Sequence, residues 1–185
     1  MDVLTGKRVV AAELPLSPRP SKERRHRVAD PYLRFRPAFL GPHMAEIERM
    51  RGDLTPSRIK EQWTSWRGRA IEPLVRESLA RVLPDGPLPA APAIGGYWTR
   101  GNDVEIDLVG ADRQPVAEQL FFLGSVEWLE NSAFDSHDLT ALQKHRAALT
   151  DEPLPLVAVS RSGVACSGLQ AVYGPEELLS AWRGA

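Results

Sequence analysis

Apolar residues recur at helical spacing through the first half of the chain. From residue 55 onward three of them share one face, namely Ile59, Trp63 and Trp66. We expect these aromatic residues to lie in a core rather than to form a platform for stacked bases. Residues 68–83 repeat the period, which predicts a further helix. Because proline cannot donate a hydrogen bond inside a helix, we expect this helix to begin near Glu72, with Pro73 in its first turn.

Shorter elements are predicted ahead of these helices. Residues 8–16 and 25–28 are predicted to be the two strands of a hairpin, and the segment between them is rich in proline and basic residues. The pairs Asp30-Pro31 and Thr55-Pro56 each offer an N-cap followed by proline at the first helical position. Pro37 is expected to end or kink the first of these helices.

The pattern changes to that of a sheet in the second half of the chain. Three strands are predicted in close succession, at residues 97–98, 104–110 and 120–129. An amphipathic helix, a buried strand and a short helix follow, at residues 137–149, 154–160 and 175–182. This order predicts an α/β fold in which helices flank a mixed sheet, preceded by a small helical segment with a wing-like hairpin.

Charge is distributed unevenly, although the formal net charge is only −1. Residues 1–70 hold 15 Lys and Arg against 8 Asp and Glu, whereas the remainder holds 8 against 16. The basic half includes a cluster made of Lys22, Arg24, Arg25 and Arg27. Such a cluster can neutralise phosphates, which makes DNA a candidate partner. Docking on the acidic half of the same chain is the alternative.

Composition excludes several classes of protein. The chain is 43% hydrophobic and 25% charged, as in a folded globular domain. No apolar run approaches the ~20 residues that a membrane span needs, and the first ten residues lack the layout of a signal peptide. We therefore expect a cytoplasmic protein without a membrane partner. Cys166 is the single cysteine, which excludes an internal disulfide and a cysteine-rich zinc site.

Acidic residues alternate along one of the predicted strands. Asp103, Glu105 and Asp107 fall on one strand face, because successive side chains point to opposite faces. On the following strand Ser125 and Glu127 also share a face. If the two strands are neighbours, Asp107 and Glu127 approach each other. Oxygen ligands from two strands are suited to holding Mg²⁺ for phosphodiester hydrolysis.

Several segments carry a family resemblance, namely residues 27–35, 47–49, 68–72, 94–98, 105–109, 120–128 and 160–163. Together they resemble the nuclease-like, PD-(D/E)XK-type C-terminal module of archaeal-type ATP-binding proteins, a family of AAA-type ATPases. The resemblance implies a restriction-endonuclease-like mixed sheet over residues 67–185. It also implies that residues 1–66 form a wing hairpin and helical linker, the remnant of a winged-helix domain.

The resemblance assigns roles to four positions. Asp107 takes the place of the metal-binding aspartate, and Glu72 that of the supporting acid on a helix. The family's third strand carries Glu-x-Lys, and those places are Ser125 and Glu127 here. Losing one such preorganised group costs roughly 10²- to 10³-fold in rate. The resemblance therefore implies an inactive domain that serves nucleic-acid association or protein interaction.

Two other functions stay open. The first is an active Mg²⁺-dependent DNA endonuclease, in which Glu105, Asp107 and Glu127 hold the metal and Arg100 or Lys144 replaces the missing lysine. The second is a structural domain that docks on a partner and has no affinity for nucleic acid.

The chain also lacks features that a complete ATPase would carry. No Gly-x-x-x-x-Gly-Lys-Ser/Thr loop is present, so we assign no ATP site and expect a partner ATPase chain to supply one. No recognition helix fits before Val9, which suggests the back end of a longer architecture. His137 and His145 lie eight residues apart on one predicted helix. We expect them on the surface rather than as zinc ligands, because no third ligand is suitably spaced.

Overall fold

Two units make up the computed structural model, which describes residues 2–7, 9–83 and 86–183. Unit 1 comprises Met1–Glu13 and Arg24–Ala70, and unit 2 comprises Leu14–Glu23 and Ile71–Ala185. The change from unit 1 to unit 2 at residues 70 and 71 falls within a long helix, as does the predicted boundary between residues 66 and 67. Residue 8, the predicted start of the first strand, lies outside the described residues.

Unit 1 consists of short helices, one hairpin and the first part of the long helix. In chain order these are α1 (Asp2–Gly6), β1 (Val10–Glu13), β2 (Arg25–Val28), α2 (Pro31–Phe35), a π-helical turn (Arg36–Leu40), a 3₁₀ turn (Gly41–His43), α3 (Met44–Glu48), a 3₁₀ turn (Gly52–Leu54) and α4 (Thr55–Val82). The antiparallel pairing of β1 with β2 confirms the predicted hairpin. The Asp30 carboxylate accepts a hydrogen bond from the Leu33 amide at 2.8 Å, which confirms the predicted cap. The α-helix ends at Phe35, as expected near Pro37, and a π-helical turn that contains Pro37 follows it.

Helix α4 is continuous, so the predicted second start near Glu72 is wrong. Pro73 lies inside the helix and has no amide hydrogen for the carbonyl of Arg69, four residues earlier. The Arg34 Nη2 donates a hydrogen bond to that carbonyl at 3.3 Å. A distant side chain thus supplies the donor that proline removes. The predicted Thr55 cap is also wrong, because the Thr55 hydroxyl is buried without a hydrogen-bond partner.

Unit 2 is a five-stranded mixed sheet flanked by helices, which confirms the predicted fold class. Its remaining elements are β3 (Ala93–Trp98), β4 (Glu105–Ala111), β5 (Leu120–Glu127), α5 (Ser136–Leu149), β6 (Leu156–Ser160), β7 (Ala171–Tyr173) and α6 (Pro175–Ser180). The strand order is β3-β4-β5-β6-β7. Strands β3, β4 and β5, the three predicted in close succession, form an antiparallel meander, and β6 and β7 continue the sheet in parallel. Strand β7 was not predicted.

Both sheet faces are covered by apolar side chains. The helix α4 contributes Val75 and Leu79 to a core that includes Phe122 of β5. The helix α5 contributes Leu139 and Leu142 to a second core on other strand residues, such as Ile106, Leu123 and Ala158. Strand alternation sends neighbouring residues to these two cores, and this explains the nearly continuous apolar sequence of β4 and β5.

The segment Leu14–Glu23 covers the outer edge of the sheet. The Leu16 amide donates a hydrogen bond to the Gly96 carbonyl of β3 at 2.8 Å, and the Leu16 side chain is 1% exposed. The Trp98 indole donates to the Glu23 carbonyl at 2.7 Å. Both bonds fasten the segment to β3. Among the described residues, no helix combines the length and hydropathy that a membrane crossing needs.

Candidate functional site

Asp107 lies where the hydrogen-bonded pairing of β4 and β5 stops. The paired register runs from Leu108 opposite Gly124 to Ala111 opposite Leu120. One residue beyond it, the Asp107 Oδ2 accepts hydrogen bonds from the Val126 amide at 2.8 Å and the Ser125 hydroxyl at 3.1 Å. The carboxylate therefore takes the place of a backbone acceptor on the neighbouring strand.

A pocket of 190 Å³ opens beside this carboxylate. The polar residues that line it are Glu105, Asp107, Ser125, Glu127, Asp138 and His145. The structure thus brings together three of the four positions singled out by the family resemblance, namely Asp107, Ser125 and Glu127. Asp103 does not share this site, since it lies before β4 and accepts a hydrogen bond from the Thr99 hydroxyl.

The helix α5 supplies the other wall of the pocket. Asp135 and Asp138 form a capping box at its start, with the Asp135 amide 2.9 Å from the Asp138 carboxylate. Near its other end, the His145 Nδ1 lies 2.7 Å from the Glu105 carbonyl oxygen. His145 therefore lines the pocket, whereas His137 is exposed. Asp138 was not singled out from the sequence, because only its packing against β5 places it here.

Both central carboxyl groups have raised pKa values. Burial raises the pKa of Asp107, although the hydrogen bonds from Val126 and Ser125 act in the opposite direction. Burial also raises the pKa of Glu127, and the charges of Asp138 and Asp107 add to the increase. A lysine at position 127 would lower the pKa of Asp107, whereas the negative charge of Glu127 lies beside that carboxylate.

Glu72 is held by an arginine and does not line the pocket. The Arg76 Nη2 lies 3.3 Å from the Glu72 carboxylate, and the Arg76 Nε donates to the Asp107 carbonyl at 3.0 Å. Gly96 makes room for this guanidinium, because a Cβ there would lie 2.7 Å from the Arg76 Nη2. Arg76 thus holds the backbone at Asp107 by a hydrogen bond and forms an ion pair with Glu72.

Neither of the two residues considered as a replacement for the family's lysine lies at the pocket. Arg100 and Lys144 are exposed, and neither lines the pocket. Among residues 2–7, 9–83 and 86–183, no group of three or more His, Cys, Asp or Glu is placed to hold a metal ion. Glu105, Asp107 and Glu127 lie around one pocket without forming such a group.

The predicted basic cluster is divided between the two units. Lys22 belongs to unit 2 and is exposed. Arg24, Arg25 and Arg27 belong to unit 1, where Arg24 is exposed and the other two are partly buried. The Arg27 Nε lies 2.5 Å from the Glu13 carboxylate across the hairpin. The positive charge of Arg27 is therefore balanced by Glu13 within the hairpin.

The raised pKa values predict how stability depends on pH. A carboxyl group whose pKa is higher in the folded state binds more protons when folded. The free energy of unfolding therefore falls as the pH rises from 4.5, the pKa of an unfolded glutamate, through the higher pKa of the folded Glu127. We expect Glu127→Gln to reduce this fall. At pH 7 the exchange removes an unfavourable charge and should raise the free energy of unfolding. The gain is at most about 1 kcal/mol, because solvent screens half-exposed charges.

Urea unfolding at a series of pH values measures this effect. Glu152→Gln is a matched control, since Glu152 is exposed and lies outside the pocket. A pH profile that is the same in Glu127→Gln as in the unmodified chain would contradict the proposed electrostatics of the pocket.

The fold and this pocket define an α/β domain with a carboxylate-bearing site where two antiparallel strands part. Residues 37–138 match the family DUF234, described as archaea bacterial proteins of unknown function. The match covers more than half of the chain, so the chain belongs to this family. It includes β3, β4, β5 and most of the pocket residues. Neither a curated protein nor a solved structure matches the chain.

Proposed function

We propose that the chain is a nuclease-fold C-terminal domain of an ATPase-family protein that associates with nucleic acid without cleaving it. In this proposal it acts in the cytoplasm, and a partner ATPase chain supplies the nucleotide-binding site. The order of helix, three antiparallel strands, helix and parallel strand is compatible with the PD-(D/E)XK pattern that the sequence resembles.

The hydrogen bonding of Asp107 is the observation that carries the proposal. Where the family pattern places a second carboxylate, the Ser125 hydroxyl donates to Asp107 at 3.1 Å. A hydroxyl supplies no negative charge for a divalent cation. Where the pattern places lysine, Glu127 adds negative charge beside Asp107. These two changes remove a metal ligand and the cation that would offset the charge of phosphate.

Unit 1 supports the association with nucleic acid. It carries 13 Lys and Arg against 7 Asp and Glu, whereas unit 2 carries 10 against 17. Positive charge in one unit attracts a polyanion and releases its counterions, and this binding needs no particular base sequence. Negative charge around the pocket of unit 2 opposes the approach of phosphate to Asp107.

Plasmid cleavage tests the absence of catalysis. We expect supercoiled plasmid to stay intact after incubation with the purified chain and Mg²⁺ or Mn²⁺. If nicking occurs and disappears in Asp107→Ala, the chain is an active metal-dependent endonuclease and the proposal is wrong. Nicking that persists in Asp107→Ala indicates a contaminating nuclease, and the preparation is then purified further before the assay is repeated.

A salt titration tests the association itself. Labelled DNA should be retarded at low ionic strength, and the affinity should fall steeply as salt rises, because phosphate contacts depend on salt. The triple variant Arg24→Ala, Arg25→Ala, Arg27→Ala should weaken binding if the hairpin is part of the contact surface. No retardation even at low ionic strength would instead favour a structural domain that docks on a protein.

A further inference from the structure

A second concave site lies within unit 1, formed by α2, the π-helical turn and α4. Its volume is about 520 Å³, which falls in the range of ligand pockets. We call it the aromatic cleft and define it by six of its lining residues: Arg34, Phe39, Gln62, Ser65, Trp66 and Arg69. None of these residues belongs to the pocket beside Asp107.

Phe39 and Trp66 form the aromatic floor of the cleft, and both belong to a packed aromatic cluster. Trp63 and Trp66 are stacked with ring centroids 5.3 Å apart, and Phe39 meets Trp66 edge-on at 5.3 Å. Phe35 adds a further edge contact to Trp66 at 6.0 Å. Phe39 is buried, but both tryptophans are only partly buried. The expectation that the tryptophans lie in a core is thus incomplete, because Trp66 also forms part of a cleft wall.

Two arginines lie beside this aromatic floor. Arg34 is fixed by its hydrogen bond to the Arg69 carbonyl and by its position 5.9 Å from the centre of the Trp66 ring. The Arg69 side chain is exposed and borders the same cleft. A guanidinium that is already held in place loses little freedom on binding a phosphate, and its planar donors fit phosphate oxygens in pairs.

We infer that the aromatic cleft binds a nucleotide unit, with its phosphate on Arg34 and Arg69 and its base against the aromatic floor. The source is a free nucleotide or a residue of single-stranded nucleic acid. This inference rests on the proposed association with nucleic acid and gives that association a specific site. Aromatic side chains next to basic residues are the usual means by which proteins hold single strands.

The polar lining gives further detail. The Gln62 amide and the Ser65 hydroxyl offer hydrogen bonds to a base edge or sugar. Glu61 also borders the cleft and adds one negative charge. Two arginines against this one glutamate leave the cleft with a net positive charge, which suits the phosphate of a nucleotide.

Binding of thymidine monophosphate and oligo(dT) to the full chain tests this inference. Isothermal titration measures the mononucleotide, and fluorescence anisotropy measures the labelled oligonucleotide. Arg69→Ala should weaken both by about tenfold, since it removes one charge-assisted contact and keeps the backbone carbonyl that Arg34 needs. Arg49→Ala is the matched control, because Arg49 is exposed in the same unit and does not line the cleft. It should change the mononucleotide affinity less than twofold.

The outcomes separate this inference from the proposed function. If oligo(dT) binds equally well to Arg69→Ala and the chain, but more weakly to the hairpin triple variant, the cleft inference is wrong and the proposed function stands. If thymidine monophosphate fails to bind at millimolar concentration and Arg69→Ala leaves oligo(dT) binding unchanged, the cleft inference is wrong. If only oligo(dT) binds and Arg69→Ala weakens that binding, the occupant is a residue of single-stranded nucleic acid. Mononucleotide binding that Arg69→Ala weakens, without any binding of DNA, supports a free nucleotide and overturns the proposed association with nucleic acid.

Discussion

Introducing the two side chains that the family resemblance places on this strand, by combining Ser125→Glu with Glu127→Lys, is expected to produce metal-dependent nicking of plasmid DNA. The Ser125 hydroxyl is 3.1 Å from Asp107, so a carboxylate on this residue would lie beside it and supply a second oxygen ligand. A lysine at position 127 would lower the pKa of Asp107 and offset the charge of the phosphate. Each group is worth roughly 10²- to 10³-fold in rate, so the double variant should exceed the unmodified chain by at least that factor.

The appropriate measurement is the conversion of supercoiled to open-circular plasmid with and without Mg²⁺. Adding Asp107→Ala to the double variant should abolish the nicking, and each single exchange should restore less activity than the pair. If the double variant is folded, as judged by its unfolding curve, but remains inactive with Mg²⁺ and Mn²⁺, then these two side chains are not sufficient for cleavage at this site.

Gly110→Ala is expected to destabilise unit 2 by about 3 kcal/mol, because the added methyl group would overlap a fully buried ring. Gly110 of β4 is opposite Phe122 of β5, and the ring of Phe122 occupies the space where a Cβ would lie. Phe122 is 0% exposed and is surrounded by the core on the α4 side, so it cannot move aside without disturbing that core.

Gly68→Ala provides the opposite control. Gly68 lies inside α4, and nothing is within 4 Å of the position that its Cβ would take. The exchange should stabilise the helix by about 0.5–1 kcal/mol, since alanine loses less backbone freedom on folding than glycine. Urea unfolding of the two variants measures both effects. A Gly110→Ala chain as stable as the unmodified one would show that Phe122 can be accommodated elsewhere.

The sequence predicted most of the sheet because its strands carry strong local patterns. The alternation around Asp107 and the apolar run around Leu123 each specify a strand without reference to the rest of the chain. Strand β7 has only three residues, Ala171–Tyr173, and forms by pairing with β6. Such a short run has no detectable period. Its existence depends on a partner edge that sequence patterns do not reveal.

The error at Pro73 has a similar origin. Local rules place proline at the start of a helix, and they hold unless another group satisfies the carbonyl that it leaves open. Here Arg34 does so from a different element. The sequence of α4 does not indicate that Arg34 will donate this hydrogen bond. The continuity of the helix could therefore be found only from the folded structure.

The candidate site was predictable only in part. Strand alternation and the family resemblance together placed Asp107, Ser125 and Glu127 near one another, and the structure places all three at one pocket. They could not indicate that Asp138 and His145 would join them from α5, because helix packing decides which residues face the sheet. Nor could they indicate that Arg76 would bond to both the Glu72 carboxylate and the Asp107 carbonyl.

The attachment of Leu14–Glu23 to β3 matters for anyone who truncates the gene to obtain the α/β domain alone. A fragment that starts at residue 67 would omit Leu16 and its hydrogen bond to Gly96, leaving the outermost strand with unsatisfied backbone groups. Exposed edge strands pair with strands of other molecules, so the truncated fragment would tend to form inclusion bodies. A recombinant version of the domain should therefore retain Leu14–Glu23, either in its native order or fused through a linker.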